Sequence, residues 1–153
     1  MEIDKVVAFN QQQLEHMALV QEQVFAFCNE LLAEAIRHDH SKFCHKEYET
    51  FVASRESLNS SKDGMDLAYR TFLNGESIQH HITENRHHPE YWDKRGEKMP
   101  PIQAIIMYMD WRSRSIQRGT DFDDFWEFNC SKLKNQPDAL ALVCCLKSYY
   151  NPA

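Results

Sequence analysis

Residues 6–36 read VVAFNQQQLEHMALVQEQVFAFCNELLAEAI, and this stretch holds neither glycine nor proline. Its apolar positions, among them Val6, Leu14, Met17, Phe25, Leu31, Leu32 and Ile36, recur at mixed steps of three and four, the helical period. No glycine or proline occurs anywhere before Gly64, so the first third of the chain predicts helix. A second helix is expected from about Ser41 to Glu56, with Phe43, Tyr48, Phe51 and Val52 as its apolar side. Ser57 to Gly64 reads as a loop, rich in Ser, Asn, Asp and Gly. Asp66 suits the cap of a third helix reaching roughly Asn85 through Leu67, Phe72, Ile78 and Ile82.

His88-Pro89 ends that segment, because the residue before a proline avoids helical geometry. Tyr91 to Pro101 is expected to be an irregular connection, and Pro101 suits the first turn of a helix over Ile102 to Ile116. Asp121 suits the cap of a helix through Lys134, and a last helix, Ala139 to Tyr150, carries an apolar run that reads as buried. The sequence offers no strand, repeat or low-complexity segment. The fold class is therefore all-α, a single domain over residues 1–153 with about five to seven helices.

Composition narrows the function. Apolar residues make up 42% and charged residues 26%, the balance of a soluble globular protein. A formal charge of -6, with both signs interspersed, argues against nonspecific nucleic-acid binding, which needs a basic stripe. No apolar run approaches the ~20 residues that cross a bilayer. The start of the chain lacks a signal-peptide layout, so a cytoplasmic location is expected. Cys28, Cys44, Cys130, Cys144 and Cys145 are odd in number and read as free thiols. Phe122, Phe125, Trp126 and Phe128 suit either the chain's own core or a homodimer interface.

Eight histidines stand out by their placement: His38-Asp39-His40 beside Ser41-Lys42, His80-His81, and His87-His88. Divalent transition metals take imidazole nitrogen and carboxylate oxygen, and a mixed His/Asp set suits Fe, Mn or Zn. Asp110, between Met109 and Trp111 in an apolar helix, needs a partner for its charge. Asn85, one turn beyond His81, is placed to orient it. His40 and His45 read as solvated, and Tyr91 and Trp92 as core residues.

His16, then His38-Asp39-His40-Ser41-Lys42, then Asp110, resembles the H…HD…D signature of the HD phosphohydrolase superfamily. Asp39 to Lys42 keeps the spacing of its HD-x-x-K motif. The run Asn85 to Trp92, followed by Met99-Pro100 and Ile105-x4-Asp110, is similar to the HD-GYP branch, although the Gly-Tyr-Pro element is missing. More narrowly, HDxSKF, NxHHPEYW and MxDW resemble an uncharacterised family of bacterial and phage proteins. The resemblance implies an HD-like helical bundle in which His16, His38, Asp39 and Asp110 bind one metal. His81, His87 and His88 complete a second site, and Asp39 bridges the two.

It further implies a metal-dependent phosphohydrolase acting on a nucleotide or related phosphate ester, with Lys42 at the substrate phosphate. Arg112 and Arg114, which follow Asp110 on its helix, are candidate phosphate anchors. Two alternatives share the ligands: a mixed-valent di-iron oxygenase, and a non-enzymatic metal-binding module. The reading makes one demand on the fold. On one straight helix His16 and His38 would stand about 33 Å apart at 1.5 Å per residue, so a break is expected around Phe27 to Glu30, where Asn29 tolerates a left-handed turn.

Overall fold

The computed structural model describes residues 2–60 and 75–150, the side chains of residues 54–60 excepted. These residues form helices and turns, with no strand among them. The chain divides into two units, Met1–Ile36 and Arg37–Ala153.

The first unit is a single helix. Helix α1 runs from Ile3 to Arg37 over 35 residues without interruption. The break expected around Phe27 to Glu30 is therefore absent: Asn29 is helical, and nothing nearby competes for its backbone hydrogen bonds. α1 instead stops where the sequence HD begins. Asp39 adopts φ 62 and ψ 6, and among the described residues it alone combines a positive φ with a side chain. Aspartate is one of the few residues that take this left-handed conformation, which turns the chain out of a helix. Backbone strain of this kind, of order 1–3 kcal/mol, persists only where its surroundings impose it.

The second unit carries the core. A 3-10 turn, His40–Phe43, leads into helix α2, His45–Ser60. The expected second helix thus begins four residues late and runs past its expected end. The expected Ser57–Gly64 loop starts inside α2, and its remainder lies outside the described residues. So do the Asp66 cap, Leu67 and Phe72 of the expected third helix. Helix α3, Glu76–Glu84, begins only after Gly75, which is extended (φ -74, ψ 154), so the expected helix from Asp66 does not run through Gly75; Ile78 and His81 lie on the buried side of α3.

Helix α4, Pro89–Asp93, with Pro89 in its first turn, takes up Tyr91–Asp93 of the expected irregular connection, whose remainder, residues 94–100, is non-helical. Its Trp92 is buried, as read. Helix α5, Pro101–Arg118, is the centre of the core and buries Ala104, Ile106, Met107, Tyr108 and Trp111. Gly119 closes it in the left-handed conformation, its N–H donating to the Ile116 carbonyl. Helix α6, Phe122–Cys130, is capped by Asp121, whose side chain accepts from the Asp123 N–H. A 3-10 turn, Ser131–Leu133, takes the place of its expected last turn.

Helix α7, Pro137–Tyr150, packs on α5 but buries only Ala139 and Val143 fully, so its apolar run is half-covered rather than buried. Phe122 joins Trp92, Met99, Met107, Tyr108, Trp111 and Leu133 in one cluster, with Phe125 and Trp126 packed against it, while Phe128 is exposed. Most of the C-terminal aromatic group is thus used in the chain's own core. Among the described residues no helix is long and apolar enough to cross a membrane.

Candidate metal centre

The turn after α1, the start of α2, the end of α3, the His87-His88 turn and the middle of α5 deliver a single polar cluster inside the second unit. α3 and α4 make the first part of it. His81 sits on the buried side of α3, and α3 ends at Asn85 because its chain must extend toward Pro89: His88 has φ -97 and ψ 133. The extended turn aims His87 and His88 back at His81. His88 Nε2 lies 3.1 Å from His81 Nε2.

Asp39 enters from the other side. Its Oδ1 lies 3.1 Å from His81 Nε2 and 3.4 Å from His87 Nε2. Asp39, His81, His87 and His88 thus present four donor atoms that all lie within 4.8 Å of one another. Two of these atoms, Asp39 Oδ1 and His87 Nε2, are buried without a hydrogen-bond partner. Buried polar atoms are rarely left so. Donors around one tetrahedral ion, at 2.0–2.2 Å each, stand about 3.3 Å apart. The spacings here match that value, so the residues fit a divalent metal.

His81 is held for this role from behind. Its Nδ1 lies 3.0 Å from Glu47 Oε2, which also accepts from the Ser41 hydroxyl at 2.8 Å. Asn85 Nδ2 donates to Ser41 Oγ at 2.6 Å and to the His81 carbonyl at 2.8 Å. A carboxylate on Nδ1–H fixes the tautomer that leaves Nε2 free as a ligand. Asn85 therefore supports His81 through its backbone and through Ser41. Glu47, wholly buried on α2, is a residue that sequence reading missed.

A second cluster adjoins the first. His38, Asp39 and Asp110 also bring donor atoms within 4.8 Å of one another, so Asp39 belongs to both. The other Asp39 oxygen, Oδ2, pairs with Lys42 and lies 3.3 Å from Arg114 Nη2. Arg114 Nε stands 3.6 Å from Asp110 Oδ1, one helical turn before it. Burial alone would raise the Asp39 pKa, but His81, His87 and the Lys42 charge outweigh it and hold the carboxyl far below the usual carboxylate range. His88 is pushed well below an ordinary imidazole by desolvation and by neighbouring His87 and His81, so it stays neutral and ready to bind a metal.

The remaining candidates fall elsewhere. His16 lies on uninterrupted α1, in the first unit, and belongs to none of the three groups of donor atoms found among the described residues. Arg112 places its guanidinium 5.5 Å from the Phe122 ring and 4.6 Å from that of Tyr150, on the aromatic side of α5. His40 and His45 are exposed, as read. Lys132, in the second 3-10 turn, was not anticipated. Desolvation lowers its pKa, while the charges of Glu90 and Asp110 act against that, which places its ammonium near the cluster.

No curated protein and no solved structure matches the chain. One family profile matches residues 5–144, which include every residue of both clusters. The chain belongs to that family, described as a family of unknown function (DUF5662).

Proposed function

We propose that this protein is a metal-dependent phosphohydrolase of the HD type, acting on a nucleotide or related phosphate ester in the cytoplasm. The observation that carries the reading is the division of Asp39. One oxygen meets the imidazoles of His81 and His87, and the other meets Lys42 and Arg114. A metal-ligand cluster and two cations therefore share one carboxylate. Asp39, His81, His87 and His88 would hold one ion, and His38, Asp39 and Asp110 a second, with Fe, Mn or Zn suited to the donors. Such an ion polarises a phosphoryl group and makes water acidic enough to attack it near neutral pH.

Lys42 and Arg114, both paired with Asp39, would offset the charge that a phosphate oxygen gains as the ester bond breaks. The test is metal analysis of the purified chain beside His38→Ala/Asp39→Ala, both screened against nucleotides and a generic phosphate ester. One to two equivalents of metal and a hydrolysis absent from the variant are expected. A metal-free wild type that stays inactive with added Mn or Fe overturns the reading.

A second reading uses the same residues. Three imidazoles on one ion, and a carboxylate common to two clusters, also suit a di-iron centre that oxidises its substrate with oxygen. Iron with visible absorbance and oxygen uptake would select it over hydrolysis. Full metal loading without any turnover would instead leave a metal-binding module.

A further inference from the structure

We propose a separate binding site for a zinc-class cation, formed by Cys44 Sγ, Glu47 Oε1 and His80 Nδ1. One ligand atom from each of these residues lies within 4.8 Å of the others, and His80 Nδ1 meets Glu47 Oε1 at 2.6 Å. Two of them come from one helix start. The Cys44 carbonyl accepts from the Glu47 and Tyr48 N–H groups, so Cys44 is the residue that opens α2 and Glu47 lies in its first turn. Side chains at these two positions are neighbours. The third comes from α3, which packs across α2 and sets His80 Nδ1 2.6 Å from Glu47 Oε1.

The donor chemistry is distinct from that of the metal centre above. It includes sulfur, and a thiolate with imidazole and carboxylate favours zinc over harder ions. Three protein ligands leave a fourth position for water. Cys44 and His80 are half-exposed, so that position opens to solvent, whereas Glu47 is fully buried. A dication also answers a charge problem at Glu47. The partners of its two oxygens are His80, His81 and the Ser41 hydroxyl, and none of these carries a permanent charge. A buried carboxylate is costly without a cation, and here the thiolate, the carboxylate and a dication sum to zero. Binding would widen the 2.6 Å contact toward the spacing of about 3.3 Å set by a tetrahedral ion.

The site does not depend on the phosphohydrolase reading, and cobalt(II) distinguishes the two. Titration of the metal-free full chain with cobalt(II) should give a thiolate-to-cobalt absorption in the near ultraviolet at one equivalent, removed by competing zinc. Cys44→Ser should abolish that band and leave the visible absorption of cobalt on the Asp39, His81, His87 and His88 set. His80→Gln keeps the thiol and should weaken the band's cobalt affinity at least about tenfold, as losing even an indirect support of a metal does. No thiolate band in the wild type, or a band that survives in Cys44→Ser, overturns the proposal. Cys28, Cys130, Cys144 and Cys145 would then account for any sulfur ligation.

Discussion

Glu47 stands between two histidines of one helix: its Oε1 is 2.6 Å from His80 Nδ1, and its Oε2 is 3.0 Å from His81 Nδ1. A fully buried carboxylate therefore sets the tautomer of His81, whose Nε2 faces Asp39 at 3.1 Å. Glu47→Gln keeps the volume and removes the charge. Metal affinity at the Asp39 cluster should fall about 10–100-fold, the usual loss when a carboxylate behind a histidine ligand is removed. Isothermal titration of the metal-free variant with Mn, which the thiolate site disfavours, measures it. Unchanged affinity would mean that Ser41 and Asn85 orient His81 without Glu47.

Arg114 and Arg112 lie two residues apart on α5 yet should fail in different ways. Arg114→Ala removes a cation 3.3 Å from Asp39 and should lower kcat on a phosphate ester by about 10²–10³, as loss of one charge-stabilising group does. Lys42→Ala should act similarly. Arg112→Ala removes a guanidinium stacked on Phe122 and Tyr150 and should cost about 1 kcal/mol of stability, with kcat retained. Steady-state kinetics beside chemical denaturation separates the two effects.

The histidine pairs made most of this centre legible in the sequence. His38-Asp39, His87-His88, His81 and Asp110 are residue types that an apolar or helical context does not otherwise call for, and the fold brings them into adjoining clusters. Glu47 and Lys132 carried no such signal. A glutamate in the run His45-Lys46-Glu47-Tyr48-Glu49 looks like any solvated helix residue, and only packing of α3 against α2 buries it. Helix α5 was readable because Pro101 and the apolar period mark it, and α4 was overlooked although Pro89 gave the same signal. The expected break in α1 came from the ligand pattern and not from local chemistry. Residues 27–30 hold no glycine or proline, and Asn29 alone does not outweigh the helix that propagates through them.

Acid should destabilise the metal-free protein through His88. Its folded pKa lies well below the ordinary 6.5, so the unfolded chain binds the proton more readily. Stability is then full above about pH 6.5 and declines as pH drops beneath it. Asp39 adds a later loss, since its depressed carboxyl contributes stability that fades only below its unfolded value of about 4. Urea midpoints of metal-free protein between pH 5 and 8 should therefore fall toward acid. His88→Gln should flatten the first part of that slope, and a slope unchanged in this variant would assign it to other groups.

Core packing and metal binding should be separable at Leu133. This side chain lies in the second 3-10 turn, which packs on α4 and α7; it is fully buried in the core cluster beside Lys132 and belongs to none of the donor groups. Leu133→Ala should cost about 2–5 kcal/mol through the cavity it leaves. If Mn binds the folded chain alone, saturation at 1,000 times its Kd should return about 4 kcal/mol to the variant and to the wild type alike. His87→Ala loses a donor whose Nε2 lies 3.4 Å from Asp39 Oδ1, and its unfolding midpoint should respond less to Mn than that of the wild type. Thermal melts of the three proteins, with chelator and with metal, test both effects together. A Mn-induced shift of full size in His87→Ala would locate the binding elsewhere, and a shift lost in Leu133→Ala would mean that the cavity reaches the site through the second 3-10 turn.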